Sequence, residues 1–459
     1  MKSLSLRKQQ GQVFVVVAIS LVMLVGAVGV AVDSGIGYLI KSKLNAAADA
    51  AALAGARAAP KGNTRNEQTL EATAAAEKFF AANYPPRYLG STVELNDVKV
   101  SFDVPIPGRI TVDVKAHASV PVTFSGVMGF SMLDINASSQ TIRKDLDMAF
   151  VVDTSGSVNP VAAEVRAQSA AFLDQFAPTA DRVSLIHFST GAEVDVPIRT
   201  GNNRGFDRNR MVADIKDFGF GGLTNSAEGM WHARNQLNSI APRNRSTMRV
   251  IVFFSDGSPN TFASFFKFRN PGLCKRAGSI SSNDGPTGAP IGLSDHTRQD
   301  AGIVGTCNQG GGVAAHLTAS GLPDWYNAHD VNDREFRVVT NAPRVVTADT
   351  GTPAIAYANI NRASKNLAED IAARARAEGI RVFTLGLGPL LKNVTGASDS
   401  PEDTGENLLK CMANAADAPA RCRAAGASQP AGVYCYAAAA DGLQPCFAML
   451  AAEILRLTR

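Results

Sequence analysis

The chain has 459 residues, room for two or three domains, with 45% hydrophobic residues and a formal net charge of +4. So small a charge on so long a chain excludes the electrostatic footprint of a nucleic-acid binder. Arg199–Arg210 holds four arginines, but Gly, Asn and Asp are mixed in, and the stretch reads as a solvated loop.

Val13–Val32 is twenty residues without a charge, with Ser20 its only hydroxyl. At about 1.5 Å per residue it spans a hydrocarbon core of about 30 Å. Lys2, Arg7 and Lys8 precede it and should stay in the cytoplasm, which sends the carboxyl side outside. A cleaved signal peptide is the alternative, although the apolar run exceeds the usual length of about 7–15 residues. Gly35–Ala59 is alanine-rich and predicts a helix leaving the bilayer, ending before Pro60. Leu70–Asn83 predicts a second helix, stopped by Tyr84-Pro85-Pro86. Then the period changes to two. Val93–Val104, Arg109–Val114, Ser119–Phe124 and Leu133–Ile142 read as strands of a small antiparallel β module over 92–143, with His117 on an exposed face.

Met148–Val152 is an unbroken apolar run, the pattern of a strand buried on both faces of a parallel sheet. It ends in Asp153-Thr-Ser155-Gly-Ser157, which sets three oxygen donors in one turn, a ligand set suited to a hard divalent cation such as Mg²⁺. Pro160–Phe176 predicts an amphipathic helix, Val183–Ser189 a buried strand with His187 in packing, and Ala192–Ile198 an edge strand. Met211–Phe218 and Ser226–Ile240 predict helices around the glycine-rich loop that carries Thr224. Arg249–Ser255 repeats the first design, an apolar strand followed by Asp256 and a turn glycine. Without a cation, the hydroxyls would be helix caps and the aspartates turn formers.

After Asp256 the alternation stops. Residues 260–351 are rich in Gly, Pro, Asn and Ser and read as an insertion whose base borders the strand ends. It is expected to tune binding and to be replaceable by a short linker without unfolding the domain. Asn308-Gln-Gly-Gly-Gly-Val within it lacks the lysine and the preceding strand of a phosphate loop. The pattern resumes with a helix over Asn361–Glu378, a strand after Gly379, and a final helix over Leu443–Leu455. All six cysteines fall in this half without a Cys-x-x-Cys pair, which favours disulfides in an oxidising compartment over zinc or free thiols. Fifteen connectivities are open; pairing of sequence neighbours gives Cys274–Cys307, Cys411–Cys422 and Cys435–Cys446.

Two resemblances add to this reading. Asp153-x-Ser155-x-Ser157, the loop Thr224 and the strand-end Asp256 resemble the metal-ion-dependent adhesion site of von Willebrand factor type A domains. The resemblance implies direct metal contact from Ser155, Ser157 and Thr224, and contact through water from Asp153 and Asp256. Leu44-Asn-Ala-Ala-Ala-Asp49-Ala-Ala-Ala-Leu53-Ala, with the apolar span before it, resembles the amino-terminal segment of TadE/TadG-like proteins of bacterial Flp (tight-adherence) pilus assembly. Pilin-like members of that group carry Glu five residues after a Gly cleavage site; after Gly11 that position is Val16, so such processing is not expected.

The expected fold is therefore α/β: a cytoplasmic tip and transmembrane helix (1–33), a helical neck (34–91), the β module (92–143), and a Rossmann-like type A domain (144–459) with its insertion. The resemblances imply a single-pass inner-membrane protein with its bulk in the periplasm or at the cell surface. It would bind protein partners through a divalent cation, Mg²⁺ or else Mn²⁺ or Ca²⁺, that accepts a partner's Asp or Glu carboxylate, and would touch no nucleic acid. A structural envelope protein and a metal-dependent hydrolase are the alternatives. The hydrolase is disfavoured because the three loops hold no His or Lys and the chain has no Gly-x-Ser-x-Gly elbow.

Overall fold

The computed structural model describes residues 10–102, 109–129, 131–272, 274, 277–282, 285–298, 307, 312–318, 321–394 and 400–458. The basic residues before the apolar span, the end of the first expected strand past Phe102, and residues 308–311 lie outside them. The chain divides into two compact units, Met1–Arg143 and Lys144–Arg459.

In the first unit the apolar span and the alanine run form one helix, α1 (Gln10–Ala58). No proline interrupts it, and it ends in a single 3₁₀ turn that contains Pro60. Val13–Val25 stand exposed, as side chains facing lipid would. Further on, Ile40, Leu44, Ala47, Ala48, Ala51 and Ala52 are fully buried. Helix α2 (Arg65–Asn83) begins earlier than the apolar pattern indicated, because Thr64 accepts from the Glu67 amide at 3.2 Å while Glu67 accepts from the Asn63 amide at 2.9 Å. The sheet is antiparallel in the order β1 (Thr92–Phe102), β2 (Ile110–Pro121), β3 (Met132–Arg143). The two strands expected at 109–114 and 119–124 are one. Val112, Val114, Ala116, Ala118 and Val120 keep the alternation and pack on the buried face of α1. Asp33 on α1 accepts from the Ser125 amide at 2.7 Å, the Ser125 hydroxyl at 2.6 Å and the Thr123 amide at 3.1 Å, which pins the β2–β3 connection to the helix.

The second unit comprises β4 (Asp147–Asp153), α3 (Ala162–Leu173), β5 (Arg182–Phe188), β6 (Ala192–Val196), α4 (Arg208–Asp217), α5 (Ser226–Asn238) and β7 (Arg249–Ser255). It continues with β8 (Thr261–Phe265), β9 (Ala277–Ser281), β10 (Ile291–Ser294), α6 (Val313–His316), α7 (Pro353–Ala377), β11 (Arg381–Leu387), α8 (Gly405–Ala413), α9 (Ala420–Ala425), β12 (Tyr434–Ala437) and α10 (Leu443–Leu457). Six strands form one sheet in the order β12-β11-β7-β4-β5-β6, parallel except for the antiparallel edge strand β6. β4 is central and buried on both faces. Met148, Phe150 and Val152 meet α3, α4 and α10, while Ala149 and Val151 meet α5, α7 and α8.

Two expectations are corrected here. Residues 260–351 are no appendage: β8, β9 and β10 form a three-stranded antiparallel sheet, and Phe262, Phe266, Ile280, Leu293, Tyr326 and Phe336 lie in the same core cluster as Val151 and Phe188. Turn-rich composition concealed apolar residues scattered too widely to show a period. The arginine-rich stretch is not simply a solvated loop either. Arg204, with 5% of its side chain exposed, binds Asp145 at 2.9 Å and Asp147 at 2.7 Å, and Arg208 is also buried, its guanidinium donating to the Phe176 carbonyl. All six cysteines pair as sequence neighbours: Cys274–Cys307, Cys411–Cys422 and Cys435–Cys446, with Cα separations of 5.0, 5.3 and 5.6 Å.

Candidate metal centre

β4 delivers Asp153 to the carboxyl end of the sheet, where the carboxylate is fully buried. Its Oδ1 accepts from the Ser155 amide at 2.8 Å and its Oδ2 from the Ser255 hydroxyl at 2.6 Å. The chain then turns into a 3₁₀ helix, and the Ser155 and Ser157 hydroxyls lie 3.2 Å apart. Ser157 donates to Asp256 Oδ1 at 2.9 Å. Four of the five candidate residues are thus joined by a chain of short contacts, with Ser157 exposed at the rim.

Thr224 arrives on a separate loop. The Gly221 amide donates to the Thr154 carbonyl at 2.9 Å, and the Gly156 amide to the Gly222 carbonyl at 3.1 Å, which ties this loop to the first turn. Gly222 has φ 77°, and a Cβ there would collide with the Ser189 and Thr190 hydroxyls, so only glycine fits. The Thr224 amide donates to Asn260 Oδ1 at 2.9 Å, and the Asn260 amide returns to the Thr224 carbonyl at 3.1 Å. The Thr224 hydroxyl has no hydrogen-bond partner among the described residues; its backbone alone joins the network. Asn225 then caps α5 by accepting from the Glu228 amide at 3.3 Å.

The electrostatics are unbalanced. Asp153 and Asp256 are both buried, and no Lys, Arg or His pairs with either among the described residues. Burial raises the Asp153 carboxyl above its ordinary value. Asp256 is pushed up to about 7, first by burial and then by the neighbouring Asp153 charge. Two buried carboxylates ringed by neutral hydroxyls form an oxygen-only site short of positive charge, which fits a hard divalent cation. Ser255 and Asn260 were missed in the sequence. Ser255 could have been noticed as the hydroxyl that ends an otherwise apolar strand; Asn260 carries no comparable signal.

The family model for the von Willebrand factor type A domain matches residues 147–281, and the Flp pilus-assembly TadE/G-like model matches residues 11–58. The chain carries both modules. The type A match covers all five candidate residues and continues into the insertion as far as β9. No curated protein matches the chain. Among solved structures, the pilus adhesin SpaC from Lactobacillus rhamnosus GG is 14% identical with a TM-score of 0.36, covering 80% of this chain and 35% of its own. The present chain therefore spans about a third of the SpaC structure's length. The vWF domain of the type V pili tip protein Mfa5 from Porphyromonas gingivalis is 14% identical, TM-score 0.38, covering 70% of this chain and 98% of its own. Proximal thread matrix protein 1 from the mussel byssus, solved with a zinc-occupied MIDAS motif, is 12% identical, TM-score 0.33, covering 69% and 46%. In the type A domain described here, His187 is a packing residue: its Nδ1 lies 2.8 Å from Asp195 and its ring rests on Phe218.

Proposed function

We propose that this protein is a membrane-anchored, extracytoplasmic component of Flp pilus assembly or adhesion, binding protein partners through a divalent cation at the strand-end site. The observation that carries the reading is the buried Asp153–Asp256 pair, joined through Ser155 and Ser157 with no protein cation beside it. Ser155, Ser157 and Thr224 would hold the ion with hydroxyl oxygens, and Asp153 and Asp256 would act through water. Mg²⁺ suits an all-oxygen set, with Mn²⁺ and Ca²⁺ as competitors to be separated by titration. Neutral hydroxyl ligands leave such an ion electron-poor and ready for an Asp or Glu carboxylate from a partner. With Ser157 exposed, that position would open at the surface. The matched TadE/G-like segment and the exposed apolar helix support anchoring in the inner membrane, with the paired cysteines facing an oxidising compartment. No catalytic residue is assigned.

The test uses full-length protein in detergent, stripped with chelator. Calorimetric titration should show Mg²⁺ or Mn²⁺ binding that Asp153→Ala abolishes, and capture of pilus components should need the ion and fail in the same variant. Wild-type protein that binds no divalent ion would remove the basis of the reading. Ion binding with metal-independent capture would leave a purely structural metal.

A further inference from the structure

Away from the strand-end loops, α5 and the insertion bring a second set of donors together. Glu228 and His232 stand one turn apart on α5 and so share a face. The insertion lays Tyr326 and His329 against that face. Glu228 is fully buried; the Tyr326 hydroxyl donates to its Oε1, and its Oε2 lies 2.9 Å from His329 Nε2 and 3.9 Å from His232 Nε2. The His329 ring is stacked on Trp231, with centroids 3.4 Å apart, and the His296 ring lies 5.0 Å from it. Three of the chain's six histidines are gathered at one carboxylate.

We propose that Glu228, His232 and His329 form a binding site for a zinc-class divalent ion, separate from the strand-end site. One carboxylate oxygen and two imidazole nitrogens lie within 4.8 Å of one another, which matches the His₂–carboxylate set of zinc, with a fourth position for water. Imidazole donors select Zn²⁺ over Mg²⁺, whereas the hydroxyl and carboxylate donors at the strand ends select the reverse. An ordinary ion pair accounts for His329 but leaves His232 unexplained. Its Nε2 is buried, faces the carboxylate beyond hydrogen-bond reach, and has no hydrogen-bond partner among the described residues, a state unfavourable for a buried polar atom when nothing fills it. The ion would fasten the insertion to the helix that starts beside Thr224.

The test uses untagged full-length protein in detergent, stripped with chelator and saturated with Mg²⁺. Zn²⁺ is then titrated calorimetrically, with Co²⁺ absorption as a probe of tetrahedral nitrogen and oxygen ligation. One Zn²⁺ should bind, and binding should persist in Asp153→Ala. His232→Ala and His329→Phe, which keeps a ring on Trp231 but removes the ligating nitrogen, should each weaken it by at least roughly tenfold, the loss seen when even an outer partner of a metal ligand is removed. Unchanged circular dichroism in these variants separates lost ligation from lost folding. The proposal is overturned if no Zn²⁺ binds, if His232→Ala binds as wild type does, or if Asp153→Ala abolishes binding.

Discussion

A single strand, β4, carries a fully buried carboxylate at each end, and the two ends are treated in opposite ways. At its start Asp147 is saturated: Arg204 lies at 2.7 Å and Arg182 at 3.4 Å from its Oδ1, and the Ser246 amide donates to Oδ2 at 2.6 Å. At its finish Asp153 meets hydroxyls and amides of Ser155, Ser255 and Asp256 but no cation among the described residues, with a second carboxylate, Asp256, nearby. The same residue type at the same depth is therefore structural at one end and underneutralised at the other. What sets the candidate ligand apart is the absence of a protein counter-charge among the described residues, since burial is common to both.

Five experiments can break or sharpen this contrast. The largest effect should follow deletion of residues 260–351, because the insertion shares the core that holds the Asp153 end. Phe262, Phe266, Ile280, Leu293, Tyr326 and Phe336 contribute about 1.5–3 kcal/mol each, together as much as the roughly 5–15 kcal/mol that holds a typical domain. The shortened protein should show no cooperative melt by circular dichroism; a retained transition would make the insertion separable after all. Next, Asp147→Ala should lower stability by about 3–5 kcal/mol in urea titration, since it takes the carboxylate from buried Arg182 and leaves Arg204 with Asp145 alone.

Asp153→Asn should do the opposite, changing metal-free stability by less than about 1 kcal/mol while Mg²⁺ affinity collapses in calorimetry. If the two substitutions cost the same, the ends of β4 do not differ as described. Thr224→Ala removes a neutral hydroxyl without breaking a side-chain hydrogen bond among the described residues, so partner capture should fall more than ion affinity and stability should hardly change. The smallest effect belongs to His117→Ala in the first unit. It loses only a half-exposed pair with Asp134 at 3.3 Å, worth about 0.2–1 kcal/mol, and sets the scale for an ordinary surface ion pair.

The candidate strand-end site was readable because two of its loops follow an apolar run with a sharp stop, Val152 before Asp153 and Phe254 before Ser255 and Asp256. The helix boundaries were less clear, since capping by Thr64 and by Thr352 with Pro353 extends α2 and α7 beyond their apolar patterns. The insertion was opaque for a different reason. Its core residues are set in turns and short strands, where no period repeats often enough to be seen. Glu228, His232 and His329 were likewise invisible, because Glu228 and His329 lie 101 residues apart and only the tertiary fold brings them together.

The unbroken helix α1 has a mechanical consequence. Its 49 residues extend about 70 Å, more than twice the thickness of a hydrocarbon core. Because Ile40 to Ala56 are embedded in the β module, that module cannot swivel on the part of the helix that enters the lipid. Tilt or rotation of the buried end is delivered undamped to the sheet, as a keel passes its heel to the hull.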